Sequence, residues 1–230
     1  MKRLLVLPAT LALIVSLAAC SDDEPADTAV DEPAASETSD TGDTGITCSY
    51  TESGEAARPV ELPPTTAPYD EKVEVTITTS AGDLGATLNG DTTPCTVGSF
   101  VSLAEQGFYD ETPCPRITTD PGFQLLQCGD PTGTTGGGPG YAFPDELTGA
   151  ETYPAGTLAM ANSGPNTNGS QFFIVYGDTG LAPDYTVFGT VNAEDLSVIE
   201  EVAAGGDDGS NPAGGGAPNT PIDIVSVTVD

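Results

Sequence analysis

Residues 157–176 read Thr-Leu-Ala-Met-Ala-Asn-Ser-Gly-Pro-Asn-Thr-Asn-Gly-Ser-Gln-Phe-Phe-Ile-Val-Tyr. Two short apolar runs, Leu158–Ala161 and Gln171–Tyr176, have the length and residue types of strands. Between them, Asn162 to Ser170 is built almost entirely of turn formers. Such a composition suits a plain connector. Pinned at Met160 and Phe172, however, the loop would also present its amides to a site instead of leaving them in solvent.

The order of residues separates these readings. The fourteen positions from Met160 to Phe173, Met-Ala-Asn-Ser-Gly-Pro-Asn-Thr-Asn-Gly-Ser-Gln-Phe-Phe, closely resemble the signature segment of the cyclophilins, a family of peptidyl-prolyl isomerases. Two further landmarks of that family are resembled in the same order along the chain, the second landmark by two stretches and the third by one. Cys114-Pro115-Arg116-Ile117 is similar to its Phe-His-Arg-Ile strand with the first two residues changed, and Leu125-Leu126-Gln127-Cys128-Gly129-Asp130 is similar to the returning strand. Leu181 to Gly189 (Leu-Ala-Pro-Asp-Tyr-Thr-Val-Phe-Gly) is similar to the third. Tyr141 to Glu146 also matches. The resemblance covers about residues 70–230.

It implies a mainly β fold, a closed eight-stranded antiparallel β-barrel capped by two helices. The residues themselves support the beginning of that pattern. Val73, Val75 and Ile77 alternate with polar residues as a half-buried strand should, and Leu84 to Leu88 returns after a turn at Ser80–Asp83. Thr93 can cap a helix with Pro94 at its first position, Val97, Phe100, Val101 and Ala104 forming the apolar face and Gly107 ending it. A second helix is expected over Glu194–Ala204, then a flexible Gly/Asp-rich loop over Gly205–Asn219, then a closing strand over Ile222–Val229. Thr132–Gly140 is glycine-rich but lacks the Lys-Ser/Thr pair of a phosphate loop. In the family such a loop borders the substrate groove.

Charge narrows function. The 230-residue chain carries 35 acidic and 5 basic residues and no histidine, for a formal net charge of −30. Phosphate-backbone binding requires clustered Lys and Arg, so no nucleic-acid partner is expected. Without histidine, Ser-His-Asp, Cys-His and histidine–metal chemistry are ruled out, and neither a metal nor another cofactor is expected. Rotation about a peptide bond faces a barrier of about 18–20 kcal/mol, because resonance gives the C–N bond double-bond character. No covalent bond breaks in crossing it, so a histidine-free site is compatible with that chemistry.

The resemblance assigns roles. Arg116 is the guanidinium donor to the prolyl nitrogen, Gln127 orients it, and Phe173 helps to cup the proline ring. Leu125 and Leu181 complete the cup, with Phe123 one residue out of the family's register. Ala161 shapes the floor, Asn162 holds the substrate backbone through its main chain, Gln171 lines the neighbouring pocket, and Tyr185 stands where others have histidine. Gly180 replaces a rim aromatic, so weak or no cyclosporin binding is expected. The implied partners are proline-containing polypeptides, met by a monomer. The alternative is a catalytically weak proline-peptide binding or chaperone lipoprotein, and a third reading is an acidic, calcium-responsive surface protein.

Residues 1–19 read as a signal peptide: Lys2 and Arg3 precede an apolar run from Leu4 to Leu17 too short for a span. Leu17-Ala18-Ala19-Cys20 resembles a bacterial lipobox. Residues 20–45 are then a lipidated, disordered acidic tether, residues 46–69 an extended Pro-rich lead-in, and 70–230 the domain. This implies an extracytoplasmic protein anchored by lipid to the outer face of the bacterial cell membrane, touching membrane only through that anchor. Four other cysteines allow two disulfides in three pairings. Cys114 with Cys128 and Cys48 with Cys95 is preferred, because Cys114 and Cys128 flank the Arg116–Gln127 hairpin. Free buried thiols are the alternative.

Overall fold

The structure, a computed structural model, describes residues 45–230. The signal peptide, the tether up to residue 44 and the lipidation site Cys20 lie outside the described residues. No helix among the described residues is long and apolar enough to cross a membrane.

In chain order the elements are β1 (Thr51–Glu52), β2 (Lys72–Thr79), β3 (Gly82–Asn89), α1 (Pro94–Glu105), β4 (Thr112–Pro113), β5 (Arg116–Asp120) and β6 (Phe123–Cys128). They continue with β7 (Tyr141–Ala142), β8 (Thr157–Met160), β9 (Phe172–Val175), β10 (Val187–Val191), α2 (Leu196–Ala203) and β11 (Asp223–Val229). Nine of the strands form one antiparallel sheet in the order β4-β11-β2-β3-β10-β8-β9-β6-β5. Its two edge strands, β4 and β5, are separated in the chain only by Cys114 and Pro115. A sheet whose edges are joined by two residues must curl until they meet. The short β4 brings the count to nine rather than eight. The two edges are joined by the chain itself; the Cys114 N–H donates to the Ile222 carbonyl at 3.0 Å as a further rung of the β4–β11 ladder, and Ile117 on β5 bridges Gly216 of the 205–219 loop.

Alternation along the strands sorts side chains between two apolar clusters. Leu126, Leu158, Met160, Phe172, Ile174 and Phe188 point into the main core, where α1 adds Phe100 and Leu103. The ring of Phe100 packs edge-on to Phe172 at 5.4 Å and beside Phe188 at 5.3 Å. Their neighbours Leu125, Ala159, Phe173 and Val175 point the other way and gather with Tyr153 in a second cluster. Both faces of β8 and β9 are therefore covered, which is why they read as unbroken apolar runs and not as alternating ones.

Two sequence expectations need correcting here. Thr93 does not cap α1 with its side chain; its hydroxyl donates to the Asn89 carbonyl instead. The open N–H groups of Cys95 and Thr96 donate to the carboxylate of Glu146, at 3.1 and 2.8 Å. A carboxylate here also suits the positive end of the helix dipole. The second correction concerns 205–219. The loop expected to be flexible is cross-linked: Asp208 Oδ1 accepts the N–H groups of Ser210 and Ala217, and Asn211 and Gly215 pair through their backbones. It lies so close to β5 that a Cβ at Gly215 (φ 68°) would sit 2.1 Å from the Ile117 carbonyl oxygen.

The lead-in lies along the domain. A disulfide joins Cys48 to Cys95 at the start of α1, β1 pairs with β7, and Arg58 donates to the Gly107 and Phe108 carbonyls beyond the C-terminus of α1. A second disulfide joins Cys114 to Cys128 across the base of the β5–β6 hairpin.

Candidate active site

The register of β5 and β6 builds the centre of the site. Arg116 pairs with Gln127, Thr118 with Leu125 and Asp120 with Phe123. Phe123, Leu125 and Gln127 thus share one face of β6, two residues apart. The unusually long connection between Arg116 and Gln127 becomes regular ladder, closed by Pro121 and by Gly122 at φ 82°. Those are the residues a type II turn takes at its two central positions. No bulge is needed to aim Phe123. Its ring lies 5.5 Å from the Arg116 guanidinium carbon. Gln124, which stands at the family's aromatic position, instead borders Gly177 and Tyr176 on the opposite side.

The guanidinium is held by three acceptors. Nη1 donates to Gln127 Oε1 at 3.0 Å, Nε to the Gly214 carbonyl at 2.9 Å and Nη2 to the Ala213 carbonyl at 3.1 Å. A guanidinium carries five N–H bonds. Three are committed to the protein among the described residues, which leaves two. Burial lowers the Arg116 pKa from its ordinary value, with the Tyr185 phenol acting in the other direction. An arginine nevertheless stays cationic.

Behind Gln127 the hydrogen bonds continue. Its Nε2 donates to Gln171 Oε1 at 2.8 Å, and Gln171 Nε2 donates to the Thr135 and Gly137 carbonyls at 3.0 and 2.8 Å. The glycine-rich loop is ordered in turn by buried Asp130, which accepts from the backbone of Thr132, Thr134 and Gly137 and from the Thr132 hydroxyl. Burial opposes ionisation of Asp130, but these donors outweigh it and hold the carboxyl below its ordinary range. Gly137 has to be glycine, since a Cβ there would fall 2.1 Å from Asp130 Oδ1.

A groove of about 480 Å³ opens beside Arg116. Leu125 and Phe173 form its buried floor, and Phe123, Ala161, Leu181 and Tyr185 its sides. Asn162 stands at the edge, its side chain donating to the Asp184 carbonyl at 2.9 Å and accepting the Gly164 N–H. Its backbone N–H and carbonyl have no partner within the chain among the described residues. Gln171 does not line this groove but an adjoining pocket of about 410 Å³, which shares Gln127, Thr135, Ala161 and Asn162 with it. At Gly180 a Cβ would meet nothing within 4 Å, so the rim there is open. The Gly180 N–H donates to the Gly122 carbonyl, and Thr179 bonds both backbone groups of Gln124. The tip of the long hairpin thereby supports the segment that carries Leu181.

Four contributors carry no mark in the sequence. Tyr153 is buried, and its hydroxyl accepts the Tyr185 N–H at 3.0 Å and donates to the Tyr185 carbonyl at 3.1 Å, fixing that residue's backbone. Ala213 and Gly214 hold Arg116 through carbonyls, which carry no signal of residue type. Asn211 adds a polar wall. Among the described residues no group of three or more Cys, Asp or Glu could hold a metal ion.

A curled antiparallel sheet with two helices, and an Arg-Gln-Phe groove on the face away from its core, is the cyclophilin architecture. Residues 74–229 match the family described as cyclophilin type peptidyl-prolyl cis-trans isomerase/CLD, and the chain belongs to that family. A probable peptidyl-prolyl cis-trans isomerase B of Mycobacterium tuberculosis (strain CDC 1551 / Oshkosh) is 47% identical over 204 residues, covering 81% of this chain and 65% of the relative. The protein of the same description from Mycobacterium leprae is 45% identical over 203 residues, covering 81% and 68%. The chain thus spans about two thirds of the length of these relatives. Among solved structures, a cyclophilin type peptidyl-prolyl cis-trans isomerase of Cryptosporidium parvum is 32% identical with a TM-score of 0.62, covering 69% of this chain and 98% of that one. The same enzyme in the presence of the dipeptide Ala-Pro gives a TM-score of 0.61 at 32% identity, covering 68% and 98%.

Proposed function

We propose that this chain is a peptidyl-prolyl cis-trans isomerase acting on X–Pro bonds of extracytoplasmic proteins and assisting their folding. The observation that carries this is Arg116, held by three acceptors with two N–H bonds to spare beside an apolar floor. As an X–Pro bond twists, resonance is lost and a lone pair returns to the prolyl nitrogen. A donor aimed at that nitrogen binds the twisted form more strongly than either planar one, which lowers the barrier. Gln127 keeps the guanidinium in its plane. Phe173, Leu125 and Leu181, with Phe123, hold the proline ring while the preceding carbonyl swings. Asn162 offers its free backbone groups to the peptide, and Tyr185 closes the far side. The Ala-Pro dipeptide accompanying the Cryptosporidium parvum structure fits a groove for proline peptides.

Two disulfides support an oxidising compartment. The basic and apolar start, with Cys20 after Leu-Ala-Ala, supports anchoring by lipid to the outer face of the cell membrane. In a cell that processes lipoproteins, Cys20→Ser should move the protein from the membrane fraction to the medium; retention at the membrane would remove the anchor.

The open rim at Gly180 favours one second reading, a groove that binds proline peptides with little turnover. It also predicts weak cyclosporin binding. Both readings meet in one experiment: exchange between cis and trans forms of a short X–Pro peptide, followed by NMR with the full oxidised chain. Faster exchange supports the enzyme. Saturable peptide shifts without faster exchange would establish the binding module instead.

A further inference from the structure

The segment matched by the family pattern begins at residue 74, yet the lead-in before it reaches the site. Its turn is pinned at both ends on the far side of the glycine-rich loop: the Ser53 N–H donates to the Gly140 carbonyl and the Ala57 N–H to the Gly138 carbonyl, both at 2.8 Å. The approach is close enough that a Cβ at Gly140 (φ 81°) would touch Ala56 at 3.0 Å. Upstream, the Cys48–Cys95 bridge and the β1–β7 pairing fix the segment; downstream, Arg58 fixes it. The turn therefore stands as a built wall, and Ser53, Gly54 and Glu55 line the pocket that adjoins the proline groove.

Glu55 is the one carboxylate among the described residues lining that pocket, and none of these is Lys or Arg. The other polar groups there, including Thr135, Ser163 and Gln171, are neutral. Arg116 lines the groove next door but not this pocket. A peptide that seats its proline beside Arg116 continues into a space bounded by a carboxylate, on a chain of net charge −30. We infer that the lead-in makes this chain selective for X–Pro sites with a Lys or Arg flanking the proline, through Glu55. This rests on the proline-groove reading above and adds the substrate class it takes.

An exposed charge pair contributes modestly, so placing Lys instead of Glu at the flanking position should raise kcat/KM by about twofold to tenfold, attraction and repulsion together. The preference should shrink at 1 M salt, where the screening length is about 3 Å. The test uses the full oxidised chain and a set of X–Pro peptides carrying Lys, Ala or Glu at each of three positions before and two after the proline. One position should show the Lys-over-Glu ratio in the native chain, Glu55→Gln should bring that ratio close to one, and Glu55→Lys should invert it. A ratio that Glu55→Gln and Glu55→Lys leave unchanged, or no ratio above one at any position, overturns the inference. If no peptide is turned over, the isomerase reading has failed. The same ratio is then read from dissociation constants by calorimetry, where loss of the preference in Glu55→Gln supports the inference and its persistence overturns it.

Discussion

Replacing Arg116 by alanine tests the centre of the argument. Three of its N–H bonds are used by Gln127, Gly214 and Ala213, which leaves two for the twisting peptide. Removing one preorganised donor from a developing charge typically costs about 2.7–4 kcal/mol, or 10²–10³ in rate. Arg116→Ala should therefore lower kcat/KM by about 10²–10³. The fold should survive: the three orphaned acceptors lie at the half-open edge of the site, where water can replace the guanidinium, so the cost to stability is about 1–2 kcal/mol. Arg116→Lys separates charge from geometry. An ammonium has three donors and no planar fork, so it cannot satisfy Gln127 and both carbonyls while still reaching the substrate, and it should lose more than tenfold. The assay is cis-trans exchange of an X–Pro peptide, with urea unfolding of each variant to confirm that it is folded. An Arg116→Ala protein within tenfold of the native rate would mean that the guanidinium is not the donor that lowers the barrier, whatever its stability.

Three other outcomes follow from contacts elsewhere in the fold. Asp130 has its folded-state pKa held below the ordinary carboxylate value, so its contribution to stability is fully present above about pH 4 and is lost as pH falls through the lower, folded value; Asp130→Asn should flatten the acid limb of a plot of urea midpoint against pH, and an unchanged limb would remove this role. Opening the Cys48–Cys95 bridge by a double change to serine frees a loop with a sequence separation of 47 residues and should cost about 4 kcal/mol by chain entropy, measured by urea unfolding; a loss below 1 kcal/mol would mean that the lead-in is held by its other contacts. Glu146→Gln keeps the shape of the α1 cap but removes its charge and should lower stability by about 0.5–1 kcal/mol, whereas Thr93→Val, lacking a cap role, should cost no more than its single bond to Asn89.

What could be read from the chain was whatever is local or ordered along it. The alternation of Val73, Val75 and Ile77 needs only a pleat, and it gave β2. Pro94 and Gly107 mark the two ends of α1 because each suits a backbone conformation found there. The run from Met160 to Phe173 placed β8, β9 and the loop between them. What could not be read depends on partners far away in sequence. Glu146 caps a helix that begins 52 positions earlier, and nothing in its neighbours announces that. The segment 205–219 has the composition of a mobile loop, yet its Asp and Asn side chains bond their own backbone, and it supplies Ala213 and Gly214 through atoms that every residue possesses. Tyr153 sits between Thr152 and Pro154 with no periodicity to mark it.

Phe123 shows where the two kinds of information meet. Counting back from Gln127 puts Gln124, not an aromatic, at the expected position, and by that count the cup lacks a side. Counting by twos along a paired strand puts Phe123, Leu125 and Gln127 on one face. The second count applies only if β5 and β6 run in unbroken register out to Asp120, and Pro121-Gly122 permits that by closing the ladder in two residues. The longer hairpin does more than restore the ring. Its tip reaches the segment around Gly180, whose N–H it binds through the Gly122 carbonyl. The same lengthening that shifts the aromatic therefore supports the rim from which an aromatic is missing. On this reading the two departures are linked: shortening the hairpin should unseat Leu181 as well as Phe123.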